Sequence, residues 1–179
     1  LFGVSTDTHD VLGKIQEFNR TGNINIKNLQ LENYKGKFKQ PYPIFSSKTV
    51  NGKPLWMWAK DGKINDIQIP SKDIEIYSID EIEDVFQTNQ KLKIKNLKEF
   101  IHFMINSLSI ENKSKFRANE ILEIWDRYIQ TKKFSPIIKT FKADVSSGTY
   151  IRGLVHQIGK DLGCGAITLN IYRDKINLP

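Results

Sequence analysis

The stretch from Lys142 to Gly163 changes its apolar period midway, and that change constrains the fold more than any other feature of the chain. Phe141 to Val145 alternates apolar and polar residues, as a half-buried strand does, whereas Ile151, Leu154, Val155, Ile158 and Leu162 recur at helical spacing. A strand therefore hands over to a helix. Ser146, Ser147, Gly148 and Thr149 fill the junction, where glycine tolerates backbone angles that other residues avoid and Ser147 or Thr149 is placed to cap the first turn. The helix is expected to close at Gly163. Arg152 falls in its first turn, where the helix dipole favours an acid. A cation so placed is either a solvated or surface-paired side chain or the partner of a carboxylate or phosphate, and the residues alone leave both open.

A chain of 179 residues, 39% of them hydrophobic, is long enough for a single domain over 1–179 with one core. Its 27 Lys and Arg against 20 Asp and Glu give a net charge of +7, a balance that suits a polyanionic partner without requiring one. Cys164 is the only cysteine, so no internal disulfide can form, and it has no spaced Cys or His beside it to hold a metal. The residues contain neither a transmembrane-length apolar run nor the charged and apolar regions of a signal peptide. A cytoplasmic protein without metal or membrane contact is expected.

The rest of the chain reads in order as an α+β protein. Leu1 onward looks like the end of a strand, followed by a polar turn from Thr6 to Gly13 whose Asp7 and Asp10 are of the kind that hydrogen-bond their own backbone. Asn25 to Tyr34 predicts a short helix with Ile26, Leu29 and Leu31 inward, and the prolines of Phe38 to Gly52 predict a loop. Pro54 to Gly62 predicts a two-turn helix on which Trp56 and Trp58 cannot share a face, so that one of them is exposed. Ile67 to Val85 predicts two antiparallel strand pieces around Pro70 and Lys72. Lys95 to Leu108 and Ala118 to Ile129 carry helical periodicity and predict an αα-hairpin over 91–134; Ala166 to Lys175 predicts a closing strand. The expected architecture is a mixed, mainly antiparallel sheet flanked by helices.

Five segments carry a resemblance. Ser-Gly-Thr-Tyr-Ile-Arg-Gly-Leu at 147–154, then Asp161-Leu-Gly-Cys-Gly-Ala166, then Ile171-Tyr-Arg173, resemble the K-G-T-Y-I-R-x-L, L-G-x-G-A and L-R-R motifs of the TruB family of RNA pseudouridine synthases. The Thr6 to Gly13 turn is similar to the family's T-D-T-x-D-x-x-G, and Gln40 to Gly52 to its Q-x-P-P-x-Y-S-A-x-K-x-x-G. Tyr42 departs from the second pattern where it has its first proline, Phe45 where it has tyrosine and Thr49 where it has lysine; Lys48 lies one place early.

The resemblance implies an incomplete pseudouridine synthase-like core with the helical hairpin inserted in it. It implies that Asp10 pairs with Arg152 as a supporting catalytic pair, and that Gln40, Phe45, Ser46, Lys48, Tyr150 and Arg173 contact RNA. The implied activity isomerises uridine to pseudouridine in the T-loop of transfer RNA, by a monomer, with an aspartate nucleophile and no cofactor. The family carries that aspartate in a G-x-L-D-P-x-A-T-G motif, which does not occur here; its expected place is upstream of Leu1, and the chain alone is expected to be inactive. A non-catalytic RNA-binding or RNA-folding module is the alternative, and a protein-binding adaptor acting through the hairpin is a third. The hairpin's Lys113, Lys115, Arg117, Arg127, Lys132 and Lys133 either extend an RNA-binding surface or form a solvated face.

Overall fold

The computed structural model describes residues 1–18, 26–82, 94–109, 117–131 and 137–174. Its elements, in chain order, are β1 (Val4–Thr6), β2 (Ile15–Phe18), β3 (Gly36–Pro41), β4 (Thr49–Val50), β5 (Lys53–Pro54), α1 (Leu55–Lys60), β6 (Ser71–Ile82), α2 (Ile94–Asn106), α3 (Ala118–Ile129), β7 (Thr140–Val145) and α4 (Ile151–Asp161). Short 3-10 turns occupy Ile26–Asn28, Leu31–Tyr34 and Ile64–Asp66.

The central sheet follows from the alternation in β6, which pairs antiparallel with β3 on one side and β7 on the other. Ile74, Ile76 and Ile79 are buried. Residues 76 and 79 are out of step for a regular strand, and an irregularity between Ile76 and Ser78 restores the phase so that both face inward. On the other face the register sets Lys37 opposite Glu75, Lys39 opposite Asp73 and Lys142 opposite Asp80, pairs of opposite sign that suit a solvated surface. β1 and β2 form a separate antiparallel pair, as do β4 and β5.

Two packed clusters lie around these strands. Leu154 and Ile158 of α4 pack with Phe2, Ile74, Ile76, Ile79, Cys164 and Ala166. In the other cluster, Leu97, Ile101 and Ile105 of α2 and Ala118, Ile121 and Trp125 of α3 meet Leu1, Val4, Val11 and Ile167. Trp125 is fully buried, and its indole Nε1 donates to the Val11 carbonyl at 3.0 Å. Buried residues of α2 and α3 are thus covered by Leu1, Val4, Val11 and Ile167 of the chain itself. Residues 91–93, 110–116 and 132–134 of the expected hairpin lie outside the described residues, Lys113, Lys115, Lys132 and Lys133 among them. No described helix is long and apolar enough to cross a membrane.

Four expectations are corrected. Residues 67–82 do not make two strand pieces, because Pro70 precedes β6 instead of interrupting it, and 83–85 lie outside the described residues. Part of the expected loop at 38–52 is strand β3: Pro41 ends a strand at the sheet edge, where no ladder donor is needed. Of the helix expected over 25–34, residues 26–34 form 3-10 turns and not one helix, although Ile26, Leu29 and Leu31 do pack on the core; Asn25 lies outside the described residues. The expected closing strand is reduced to isolated bridges, Phe2 with Ala166 and Asp10 with Thr168, and Lys175 lies outside the described residues.

Helix α4 is held unusually close at its C-terminal end. A Cβ placed on Gly159 would stand 2.1 Å from the Ala166 nitrogen and 2.4 Å from the Gly165 carbonyl carbon, while the Gly159 carbonyl itself accepts from the amides of Cys164 and Gly165. Helix propensity would favour alanine at position 159 by about 1 kcal/mol. Backbone cannot step aside as a flexible side chain can, so Gly159→Ala is expected to destabilise by roughly 1–3 kcal/mol; a denaturant midpoint at or above that of the parent would contradict this packing.

Candidate functional site

The turn from Thr6 to Gly13 is built by its own side chains. The Thr6 hydroxyl donates to the Asp10 carbonyl at 2.7 Å, the Thr8 hydroxyl to Asp10 Oδ1 at 2.6 Å, and the Leu12 amide to the same Oδ1 at 2.9 Å. Asp7 Oδ1 accepts from the Lys14 amide at 2.8 Å. Both aspartates therefore do the backbone work that such turns demand. The turn is tight enough that a Cβ on Gly13 would lie 2.3 Å from the Thr8 hydroxyl oxygen and 2.7 Å from Asp7 Oδ1.

Asp10 keeps its second oxygen for a partner from far along the chain. Arg152 Nη1 donates to Asp10 Oδ2 at 2.7 Å and to the Thr8 carbonyl at 3.0 Å, and Nη2 donates to the Phe45 carbonyl at 3.3 Å. The two choices open for Arg152 in the sequence resolve to the paired one. Its side chain is 24% exposed and that of Asp10 20%. The guanidinium plane is held from two sides, and Nε and one Nη2 hydrogen have no partner among the described residues. Such a group can receive a phosphate or carboxylate without spending the pair that orients it.

The helix start that presents Arg152 is capped otherwise than the sequence led us to expect. Tyr150 is the N-cap, and neither Ser147 nor Thr149 bonds to the first turn; the Thr149 hydroxyl turns back to the Ser146 carbonyl at 2.8 Å. Gln40 of β3 holds the N-cap residue instead: its Oε1 accepts from the Tyr150 amide at 2.8 Å and its Nε2 donates to the Tyr150 carbonyl at 3.0 Å. Both ends of the Gln40 amide are thus committed to positioning α4. Gly153 leaves room for this, with a Cβ there meeting Gln40 Nε2 at 3.1 Å.

Other residues expected at the site gather on the loop after β3. Phe45 is half-buried beside Arg152, and Ser46 is buried, its hydroxyl without a partner among the described residues. Lys48 Nζ stands 5.1 Å from the Tyr42 ring centre, and that ring meets Tyr150 edge-on at 5.6 Å. Arg173 is exposed in the extended segment after Thr168, with no described contact to the others. Of the two tryptophans, Trp58 donates to the Val50 and Lys53 carbonyls and Trp56 is the exposed one, at 39%.

One feature of the site has no signal in periodicity or motif. The imidazoles of His9 and His156 stack 3.8 Å apart and within 4° of parallel, with both Nδ1 atoms buried and unpartnered among the described residues. His9 has a left-handed backbone, φ +62°. Together with Tyr34, Phe38, Tyr42 and Leu154 the two rings line a cavity of about 570 Å³ between α4 and the central sheet. Burial first, then His156 and Arg152 nearby, lower the His9 pKa from 6.5 to about 4. Burial and Lys160 lower that of His156, against a smaller opposing effect of Glu17. The neutral ring is favoured in the fold, so the unfolded chain takes up protons first. The associated stability is full above about pH 6.5 and is lost as the pH falls toward 4. His9→Asn, which accepts the left-handed backbone, is expected to flatten the decline of unfolding free energy between those pH values; an unchanged slope would refute this account of the ring pair.

Comparisons with known proteins give the family of the chain. A family model described as TruB family pseudouridylate synthase (N-terminal domain) matches residues 1–100. The chain is 27% identical over 199 aligned residues to tRNA pseudouridine synthase 4 of Saccharomyces cerevisiae, covering 97% of this chain and 49% of that protein. It is 31% identical over 175 residues to tRNA pseudouridine synthase B of Thermosipho melanesiensis and 26% over 176 to that of Thermotoga maritima, covering 97% of this chain and 40% of each relative. The chain thus spans less than half the length of these relatives. With the family match over more than half of its residues, the chain belongs to the TruB family of pseudouridylate synthases.

Proposed function

We propose that this chain serves the isomerisation of uridine to pseudouridine in transfer RNA, at a T-loop uridine, with Arg152 and Asp10 as the supporting pair of the reacting site. The observation that carries the reading is the guanidinium held by the Asp10 carboxylate and the Thr8 and Phe45 carbonyls, with donors left over. Relatives named tRNA pseudouridine synthase support the substrate class. Isomerisation requires the glycosidic bond to break and the base to reattach through carbon, on a nucleotide taken out of its stack and without a cofactor. Arg152 fits the part of an electrostatic and orienting group: it stays charged, its plane is fixed by Asp10, and it can hold a phosphate or a reacting carboxylate in place.

The other expected residues divide by what they touch. Gln40 acts on RNA only through Tyr150, since its amide is committed to that backbone. Tyr42, Tyr150 and the exposed Trp56 offer rings on which bases can stack, each worth about 1–3 kcal/mol. Phe45, Ser46 and Lys48 shape the loop beside them, and the exposed Arg173 offers RNA a cation. We read 1–179 as one domain, with the hairpin over 91–134 inserted between β6 and β7. The protein acts as a cytoplasmic monomer.

The family's aspartate motif is not among residues 1–179, so the test uses the full-length gene product. Tritium release from transfer RNA labelled at uridine C5 is expected, and Arg152→Lys is expected to lower kcat/KM by about 100-fold because an ammonium cannot replace the planar fork. Asp10→Asn is expected to lower it by roughly 10- to 100-fold through loss of orientation. Salt-sensitive binding of transfer RNA without any tritium release by the full-length protein would instead favour a non-catalytic RNA module.

A further inference from the structure

Arg117 occupies the N-cap of α3 with left-handed backbone angles, φ +56° and ψ +37°, a conformation that asparagine adopts far more readily than arginine. Its side chain does not cap the helix. Asparagine would also be a better N-cap, so neither backbone nor helix explains an arginine here. The side chain is committed elsewhere: Nη2 donates to Asp7 Oδ2 at 2.9 Å, and the guanidinium carbon lies 5.3 Å from the centre of the Phe45 ring.

Both contacts end on segments that hold Arg152. Asp7 closes the turn from which Asp10 and the Thr8 carbonyl reach Arg152, and the Phe45 carbonyl is the third acceptor of that guanidinium. Two more contacts run from α3 to the same turn, Glu120 to Lys14 at 2.5 Å and Trp125 to the Val11 carbonyl at 3.0 Å. We propose that Arg117 is a positioning residue of the Arg152 site, clamping the Asp7–Lys14 turn to the Phe45 loop so that the helical hairpin fixes the Asp10–Arg152 geometry. The catalytic consequence rests on the function proposed above; the clamp itself does not.

The experiment uses Arg117→Asn, a variant suited to both the backbone angles and the cap, in the full-length gene product. A melting temperature equal to or above the parent's is expected together with a kcat about 10-fold lower and a KM within about 2-fold, because orientation is lost while RNA binding is not. Arg117→Lys, which keeps the charge but not the planar fork, is expected to restore activity only in part. A parental kcat overturns the proposal. So does a raised KM with unchanged kcat, which would make Arg117 an RNA contact. Amide hydrogen exchange at Lys14 and Leu12 reads the clamp without activity: faster exchange in Arg117→Asn supports it even where the parent isomerises no uridine, and unchanged exchange overturns it. Should Arg117→Asn melt lower than the parent, Asp7→Asn breaks the same ion pair while keeping Oδ1 for Lys14, and the same readouts decide.

Discussion

The guanidinium of Arg152 joins three segments that the sequence keeps far apart: the Thr6–Gly13 turn, the loop after β3 and the first turn of α4. Its ion pair with Asp10 is partly exposed, and pairs of that kind add little to stability, about 0–1 kcal/mol. Its value is geometric. A helix alone would let a long side chain sample many rotamers; two carbonyls and a carboxylate leave one. Asp10 can serve because its other oxygen is already anchored by Thr8 and Leu12 within the turn.

Orientation at that level needs a rigid frame behind it, and the frame has two parts. Gln40 pins the N-cap residue of α4 to β3 by both atoms of its amide, so the helix that bears Arg152 cannot slide along the sheet. The packing of α4 against Gly163–Ala166 fixes its other end through the absence of a side chain at Gly159. Behind the turn, α2 and α3 enclose Val4, Val11 and Ile167 around the buried Trp125. α2 and α3 are therefore a wall of the core and not an appendage, and Arg117 and Glu120 at the start of α3 face the turn directly.

Much of this could be read from residue patterns. The periodicities over 141–162 and 118–129 reproduce β7, α4 and α3 closely, because there one apolar face meets one neighbour and local spacing reports it directly. The Asp10–Arg152 contact was accessible only through the likeness of two motifs, since residues 142 positions apart leave no local trace of their meeting. Prolines misled in both directions: Pro41 did not prevent a strand at an edge, and Pro70 did not divide one. Nothing local to Gln40 announces that its amide holds the backbone of a residue 110 positions later.

By itself the sequence determined the elements whose stability is local or whose apolar face is regular, the positive charge, and the motif order that marks the family. The tertiary structure decided which of two roles each polar side chain takes, because a carboxylate, amide or guanidinium satisfies whichever complementary group is nearest in space. Thus Asp7 holds Arg117, Gln40 holds the Tyr150 backbone before α4, and His9 and His156 stack as neutral rings in a cavity wall. Hydrogen bonds are short-ranged and directional, so their partners are fixed only once packing has brought distant segments within about 3 Å of one another.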